Sequence, residues 1–289
     1  MTKLLFGCGY LGRRVADRWR DANHEVVIVT RSSEKAAELE RQGMRALVAD
    51  ISKPATLGSL PTADTVLFAV GFDRTTGQSI QDVYERGVEN VLAALPRNTG
   101  RIIYISTTGV YGDAGGERVD EQTPPDPQRD GGRASLASER ILTKHPLGAN
   151  GVILRMAGLY GPGRVPFLAQ LRSGEPIAAV STGHLNLIHV DDAAAVVTAA
   201  EVADLFAVGP HIYCVSDGQP VVRNEYFQEI ARQIGAPPVK FTATAPNLPR
   251  TSRAEADRRI SNAKLMSELA ITLQYPDYRA GLRAILSAL

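Results

Sequence analysis

Three closely spaced glycines near the start of the chain restrict its fold more than any other feature. They lie in the run Gly7-Cys8-Gly9-Tyr10-Leu11-Gly12, after the apolar residues 3–6 and before a segment with helical periodicity. This order predicts a buried strand, a tight turn and a helix. In such a unit Gly7 permits the turn, Gly9 admits a pyrophosphate close to the backbone, and Gly12 lets the helix pack on the sheet.

The helix that follows the turn offers a site for phosphate groups. Its first N–H groups have no acceptors within the helix, and the helix dipole is positive at that end. We therefore expect a dinucleotide cofactor, with Tyr10 and Leu11 of the turn among the residues that bind it.

The residues after the second predicted strand favour NADP over NAD. Residues 25–30 form this strand, and Arg31 and Ser32 follow it where an acidic residue would hold the ribose of NAD. A guanidinium can instead grip a 2′-phosphate with two hydrogen bonds. We expect Arg31 to bind that phosphate together with Ser32, and Arg13 and Lys35 are candidates to join them. The alternative for Arg31 is an ordinary solvated loop charge.

Composition excludes several other classes of protein. The 289 residues are 44% hydrophobic and carry a net charge of +1, which is typical of a soluble globular protein and gives no general attraction to nucleic acid or anionic membranes. The start of the chain lacks the apolar core of a signal peptide, so we expect a cytoplasmic protein. Two cysteines and five histidines without ligand spacing predict no disulfide framework and no metal site.

Strand and helix patterns alternate through the first half of the chain, which predicts a parallel sheet covered by helices on both faces. Further strands are expected at residues 45–49, 65–70, 101–106, 151–155, 185–189 and 211–215, and helices at residues 33–42, 83–95 and 224–234. Residues 112–132 are rich in Gly and Pro and predict a long loop. The fold class is therefore α/β, a doubly wound parallel sheet with a smaller C-terminal domain.

Ligands of such sheets bind beyond the carboxyl ends of the strands. Asp50 ends the third predicted strand and could accept a hydrogen bond from an adenine amino group. Ala69, Val70 and Gly71 end the fourth, and their small side chains leave room for a flat cofactor.

Several motifs occur in the order found in the extended branch of the short-chain dehydrogenase/reductase superfamily, the sugar-nucleotide epimerases and dehydratases, and the chain resembles that family over almost its whole length. They are the glycine run, Ile105-Ser106-Thr107-Thr108-Gly109-Val110-Tyr111-Gly112, Asp120-Glu121 with Pro124 and Pro127, Leu154-Arg155, Leu159-Tyr160-Gly161-Pro162-Gly163, Ile188-His189-Val190-Asp191-Asp192 and Ser261-Asn262-Ala263-Lys264-Leu265.

The resemblance implies a Rossmann-type NADP-binding domain over residues 1–160. Residues 161–289 would form a smaller substrate domain, interleaved with the last sheet strands near residues 185–215. It also implies a nicotinamide ring near Thr107 and Tyr160, with the Thr107 hydroxyl bonded to the reacting oxygen of a small-molecule substrate. Helix pairs like those of this chain build homodimers in the family, so a homodimer is a candidate assembly.

One family motif is missing from the sequence. The family transfers a proton with a Tyr-x-x-x-Lys pair, and the aligned positions carry Gly131 and Ser135, neither of which can do this chemistry. If the chain is an enzyme, the acid comes from elsewhere. Tyr111 is the preferred candidate, and Tyr160 and Arg133 are others.

Three interpretations of this loss stay open. The chain is an NADP-dependent oxidoreductase or an epimerase/dehydratase-like enzyme acting on a small carbonyl or hydroxyl compound. Alternatively it is a sensor or scaffold that binds NADP(H) without catalysis, or it keeps the cofactor for structure alone and works through oligomer contacts.

Overall fold

The computed structural model describes residues 1–205, 209–242 and 256–288. Its strands are β1 (Thr2–Phe6), β2 (Glu25–Thr30), β3 (Arg45–Val48), β4 (Thr65–Phe68), β5 (Arg101–Thr107), β6 (Arg118–Val119), β7 (Gly151–Met156), β8 (Gly158–Tyr160), β9 (His184–Leu185), β10 (Leu187–His189), β11 (His211–Val215), β12 (Val221–Val222) and β13 (Arg259–Ile260).

The α-helices of the described residues are α1 (Tyr10–Asp21), α2 (Ser33–Arg41), α3 (Gly87–Ala94), α4 (Asp130–Lys144), α5 (Leu168–Ser173), α6 (Val190–Val202), α7 (Arg223–Gln233), α8 (Ala263–Leu269) and α9 (Tyr278–Leu286). A π-helical turn, Asp82–Arg86, leads into α3. Within the described ranges, no helix combines the length and apolar character that a membrane span requires.

Seven strands form the main sheet in the order β11-β7-β5-β4-β1-β2-β3, and every neighbouring pair is parallel. The chain runs outward in one direction from β1 to β3 and in the other from β4 to β11. The order therefore reverses between β1 and β4, which leaves a crevice at their carboxyl ends. The predicted α/β doubly wound fold is confirmed.

Strand side chains alternate between two hydrophobic layers because successive residues point to opposite faces. Leu5 and Ile28 pack in the layer that contains α1 and α6, whereas Leu4 and Val27 pack in the layer that contains α3. Since both faces are covered, the strands read as continuous apolar runs, which is why the sequence reveals them so clearly.

A third hydrophobic cluster gathers residues from the C-terminal part of the chain around α7 and α9. It includes Tyr160, Tyr226, Phe227 and Leu282, and it packs apart from the two sheet layers. The predicted boundary between residues 160 and 161 stays a prediction. Two short strand pairs outside the main sheet, β8 with β10 and β9 with β12, contribute residues to this cluster, whereas a third pair, β6 with β13, packs in a separate small cluster.

The amino edge of the sheet is closed by a buried ion pair between Lys3 and Glu201. The Lys3 Nζ also donates to Thr65 Oγ1 at 3.0 Å, and Trp19 Nε1 donates to Glu201 Oε2 at 2.6 Å. This network ties α6 to β1 and α1 on the side of the sheet opposite the crevice.

Candidate cofactor-binding and active site

The glycine turn lies at the crevice between β1 and β4, and two of its glycines are required by close backbone contacts. Gly7 has φ +93°, and a Cβ there would lie 2.5 Å from the Ala69 carbonyl carbon. A Cβ on Gly12 would overlap the Gly7 carbonyl oxygen. The turn, α1 and the end of β4 therefore meet through backbone atoms alone.

Gly9 is placed differently. It precedes α1 as its N-cap, and among the described residues no atom lies within 4 Å of the position a Cβ would take. The space before the helix N-terminus is thus open, and the first N–H groups of α1 face it without a capping side chain. This open, uncapped helix N-terminus is the kind of cradle that the predicted pyrophosphate site requires.

A cleft runs from the glycine turn along the carboxyl ends of β1 to β4. It is lined by five of the predicted cofactor residues, which are Gly7, Arg31, Asp50, Val70 and Gly71, and by Cys8, Lys35, Ile51, Asp73, Thr76 and Gln78 among others. The structure therefore brings together residues from four separate strand ends.

Arg31 is exposed at this cleft. Its Nη1 donates to Gln78 Oε1 at 3.3 Å. Among the described residues, no carboxylate lies within ion-pair distance of its guanidinium. Asp73 of the same cleft instead accepts hydrogen bonds from Thr75, whose side chain is the main cause that lowers the Asp73 pKa, with the Arg31 charge a smaller cause. The Arg31 charge is thus left available for an anion.

Asp50 stands at the inner side of the same cleft. Its Oδ1 accepts from the Ser52 backbone N–H at 2.9 Å and from the Ser52 hydroxyl at 2.8 Å. These two bonds fix the carboxylate, and Oδ2 is left for a donor such as an adenine amino group.

The other basic residues considered for the phosphate are engaged within the chain. Arg13 pairs with Asp17 at 2.9 Å and with Gln42, and Lys35 pairs with Glu38 at 2.8 Å. Lys35 still lines the cleft, whereas Arg13 does not.

Three residues that the sequence predicts to bind the cofactor do not line the cleft, and their side chains make contacts within the protein. The Ser32 hydroxyl caps α2 by accepting from the Lys35 backbone N–H at 3.1 Å. Leu11 is buried in the hydrophobic layer beneath the turn. The Tyr10 hydroxyl donates to the Pro162 carbonyl at 3.1 Å, which ties the turn to the loop after β8.

Thr107 ends β5 at the carboxyl edge of the sheet and is half-buried. Its Oγ1 accepts from the Gly109 N–H at 3.0 Å, and in the described part of the chain the hydroxyl hydrogen has no acceptor. Gly109 packs closely on Gly132 of α4, where a Cβ would overlap the Gly109 carbonyl oxygen. Thr107 can therefore donate to a substrate oxygen from a fixed position.

The surroundings of Tyr111 argue against the role predicted for it. Its side chain is buried, and its hydroxyl is held by Arg155 Nη1 at 2.7 Å and by Cys214 Sγ at 3.2 Å. Arg155 also pairs with Glu139, which accepts from the Ser106 hydroxyl at 2.5 Å. Burial raises the pKa of Tyr111 well above its usual range. Tyr111 is thus a structural member of a buried network and a poor candidate for the acid.

Tyr160 is also buried rather than open to the cleft. Its hydroxyl donates to the Asp277 carbonyl at 3.4 Å, and its ring packs edge-on against His189 with 5.2 Å between centroids. Burial, and then the charge of Asp217, raises the pKa of this phenol. The side chain does not line the cleft that holds the predicted cofactor residues.

The positions of the missing pair are both at the amino end of α4. Among the described residues, a Cβ on Gly131 would have only Ile80 Cδ1 within 4 Å, at 3.6 Å. Ser135 lies on the buried face of α4. Arg133, the other candidate stabiliser, is an exposed residue paired with Asp130 at 2.7 Å. Across the described ranges, no group of three or more His, Cys, Asp or Glu side chains could hold a metal ion.

Gln78 and Ser52 belong to this site and were missed by the sequence analysis. Gln78 Nε2 donates to Ser52 Oγ at 2.7 Å, so the two residues bridge the Arg31 and Asp50 sides of the cleft. Neither residue falls in a recognisable motif. Only the contact between the loop after β4 and the loop after β3 brings them together.

Known proteins resemble this chain in both sequence and structure. Residues 4–215 match the model of the NAD dependent epimerase/dehydratase family. Protein YeeZ of Escherichia coli K12 is 31% identical over 221 residues, which cover 76% of this chain and 75% of YeeZ.

Two solved structures cover nearly the whole fold. The putative NAD-dependent epimerase/dehydratase of Methylobacillus flagellatus is 30% identical with a TM-score of 0.80, covering 99% of this chain and 98% of that one. The UDP-glucose 4-epimerase of Thermus thermophilus, solved with NAD, has a TM-score of 0.81 at 20% identity, with the same coverage. With the glycine turn, the parallel sheet and the cleft at its switch point, these matches show that the chain belongs to the NAD dependent epimerase/dehydratase family of the extended short-chain dehydrogenase/reductases.

Proposed function

We propose that this protein binds NADP(H) in the cleft along β1 to β4. The observation that carries the proposal is the Arg31 guanidinium, which faces the cleft with a neutral glutamine as its hydrogen-bond partner. A 2′-phosphate would find there a planar charged fork that no described carboxylate neutralises. Asp50 would accept from the adenine amino group, and the backbone at Gly9 would face the pyrophosphate.

We further propose that the protein is an oxidoreductase or epimerase/dehydratase-like enzyme for a small carbonyl or hydroxyl compound. Bound NADP(H) would donate or accept the hydride. Thr107 would orient the substrate oxygen through its free hydroxyl hydrogen. Family membership and the NAD complex of the Thermus structure support a nicotinamide cofactor for this chain.

The surroundings of Thr107, Tyr111 and Tyr160, called the reaction end below, favour a second candidate. In this candidate the protein is a sensor or scaffold that binds NADP(H) without turnover. Gly131 and Ser135 replace the proton-transferring pair, and the tyrosines that flank them in sequence, Tyr111 and Tyr160, are buried. A binding protein needs none of these groups, whereas an enzyme must obtain its proton from another source.

Calorimetric titration tests the cofactor assignment. We expect Arg31→Ala to raise the Kd for NADPH about tenfold or more, because a charge-assisted hydrogen bond is lost, and to leave the Kd for NADH nearly unchanged. Arg45→Ala is the matched control, since this exposed arginine pairs with Glu25 at the amino end of β3. Equal losses for both cofactors would contradict the role given to Arg31.

Turnover separates the two candidate functions. NADPH oxidation is followed with a panel of small carbonyl compounds for the wild type, Thr107→Ala and Thr107→Ser. Turnover that survives in the serine variant and is lost in the alanine variant supports the enzyme. Tight NADPH binding without turnover supports the sensor or scaffold.

A further inference from the structure

We propose that Gln78 is a positioning residue that sets the preference for the phosphorylated cofactor by holding Arg31 without neutralising it. The inference rests on the proposed function, because it concerns how NADP(H) is distinguished from NAD(H) in the same cleft.

The contacts form a chain across the cleft. Arg31 Nη1 donates to Gln78 Oε1 at 3.3 Å, and Gln78 Nε2 donates to Ser52 Oγ at 2.7 Å. The Ser52 hydroxyl then donates to Asp50 Oδ1 at 2.8 Å. Gln78 accepts on its amide oxygen and donates from its amide nitrogen, so one orientation of the amide satisfies both neighbours.

The chain joins three segments that are far apart in sequence. Arg31 follows β2, Asp50 follows β3, and Gln78 lies in the loop after β4; all three line the cleft. Arg31 is the proposed partner of the 2′-phosphate and Asp50 that of the adenine. Gln78 therefore connects the groups that would hold the two sides of the same adenosine.

The chemistry of Gln78 suits this position. An exposed arginine loses side-chain freedom when it binds a phosphate, and a hydrogen bond made beforehand reduces that loss. Gln78 engages one of five guanidinium N–H donors and leaves the others for the ligand. Its amide carries no charge, so it neither cancels the charge of Arg31 nor repels a phosphate.

The nearby carboxylate strengthens the case. Asp73 belongs to the same loop and lines the same cleft, yet its Oδ1 accepts from the Thr75 hydroxyl at 2.7 Å and the Thr75 N–H at 2.9 Å. Asp73 is thus held by Thr75, and the neutral Gln78 is the residue within hydrogen-bond distance of Arg31.

Gln78→Glu tests the charge requirement with almost no change of shape. The glutamate keeps an acceptor for Arg31, but it adds a negative charge beside the 2′-phosphate site and cannot donate to Ser52. We expect the ratio of the Kd for NADH to the Kd for NADPH to fall at least tenfold. Gln81→Glu, an exposed residue outside the cleft, is the matched control and should change this ratio less than twofold.

A double-mutant cycle separates positioning from simple support of the loop. Gln78→Ala should raise the Kd for NADPH three- to fivefold in the wild type and leave it unchanged in an Arg31→Ala background. A glutamine that only holds the loop would weaken NADPH and NADH equally and would do so in both backgrounds, which would overturn the inference.

The two proposals fail in different ways. A wild-type protein that binds neither NADPH nor NADH overturns the proposed function and this inference with it. A wild type that prefers NADPH, with Gln78→Glu keeping the same preference, overturns only the role of Gln78.

Discussion

Two regions of the molecule treat their polar side chains in opposite ways. One is the cleft around Arg31 and Asp50, the proposed adenosine end, and the other is the surroundings of Thr107, Tyr111 and Tyr160, the predicted reaction end. At the adenosine end, Arg31 is exposed and Asp50 is half-buried, and both line open space. At the reaction end, the hydroxyls of Tyr111 and Tyr160 are buried and bonded within the chain. Thr107 is the predicted catalytic residue that keeps an accessible position. The residues proposed for cofactor binding and the tyrosines predicted for proton transfer thus lie in different surroundings.

The difference has a simple physical basis. A buried phenol bonded to a guanidinium contributes to folding, but it cannot approach a substrate without leaving its partners unsatisfied. An exposed guanidinium contributes little to folding and can bind a ligand at small cost. We expect substitutions at the reaction end to change stability most, and substitutions at the adenosine end to change affinity most.

The largest effect is expected from Glu139→Ala at the reaction end. Glu139 and Arg155 form a buried ion pair with 2.7 Å between Arg155 Nη2 and Glu139 Oε2. Removal of one partner leaves an uncompensated buried charge, so the free energy of unfolding should fall by about 3–5 kcal/mol. Urea denaturation measures this free energy. Glu40→Ala, at an exposed position, is the control and should lower it by about 0.5 kcal/mol or less. Equal effects of the two variants would mean that the pair is not part of the core.

Asp217 should make stability depend on pH. Burial, and then the charges of Asp277 and Asp192, raises its pKa to about 7. The unfolded chain releases this proton near pH 4, so the folded protein binds it more tightly between pH 4 and 7 and loses stability as the pH rises through that range. This loss should reach a few kcal/mol in order of magnitude.

Asp217→Asn checks that prediction, because the amide keeps the acceptor for the Gln219 N–H, which lies 2.9 Å from Oδ1. Urea denaturation from pH 4 to pH 8 should show the variant gaining stability relative to the wild type as the pH rises. Parallel pH profiles would show that Asp217 does not titrate in the folded protein.

At the adenosine end, Gly12→Ala and Gly9→Ala should separate folding from binding. The Gly12 methyl would overlap the Gly7 carbonyl oxygen, so unfolding free energy should fall by ~3 kcal/mol. The Gly9 methyl would enter open space, so stability should change by about 0.5 kcal/mol or less. It would occupy the approach to the pyrophosphate, however, and affinity for both cofactors should fall. Thermal unfolding measures the stability and calorimetry measures the affinity for the cofactors. Unchanged affinity in Gly9→Ala would mean that the pyrophosphate does not bind at Gly9.

At the reaction end, a smaller effect than that of Glu139→Ala is expected from Tyr111→Phe. This change leaves one Arg155 N–H and the Cys214 thiol without the phenol, which should cost about 1–2 kcal/mol of stability. NADPH affinity should not change. A variant with wild-type stability and no turnover would restore Tyr111 as the acid and remove the contrast between the two ends.

The sheet was predictable from sequence because its strands are local apolar runs. Glu25–Thr30 and His211–Val215 have the predicted bounds. Helix α1 begins at Tyr10, inside the glycine run, so Gly12 lies within the helix and packs against the turn. The predicted loop 112–132 contains β6, which pairs with β13 about 140 residues later, and no local pattern reveals such a partner.

The candidate site was predictable where motifs define backbone shape, and less so where distant side chains decide burial. The glycine turn and Arg31 stand where the strand ends place them. Tyr111 is buried because Arg155 and Cys214 approach it from 44 and 103 positions away. Gln78 was missed for the same reason.

The open space at Gly131 has a practical consequence for protein engineering. Gly7 and Gly12 leave no room for any side chain, whereas among the described residues a Cβ at position 131 would have only Ile80 Cδ1 within 4 Å. We therefore expect that acidic side chains can be introduced at this position of α4 without any change to the glycine turn. The same scaffold could then carry different proton donors without a redesign of its nucleotide-binding half.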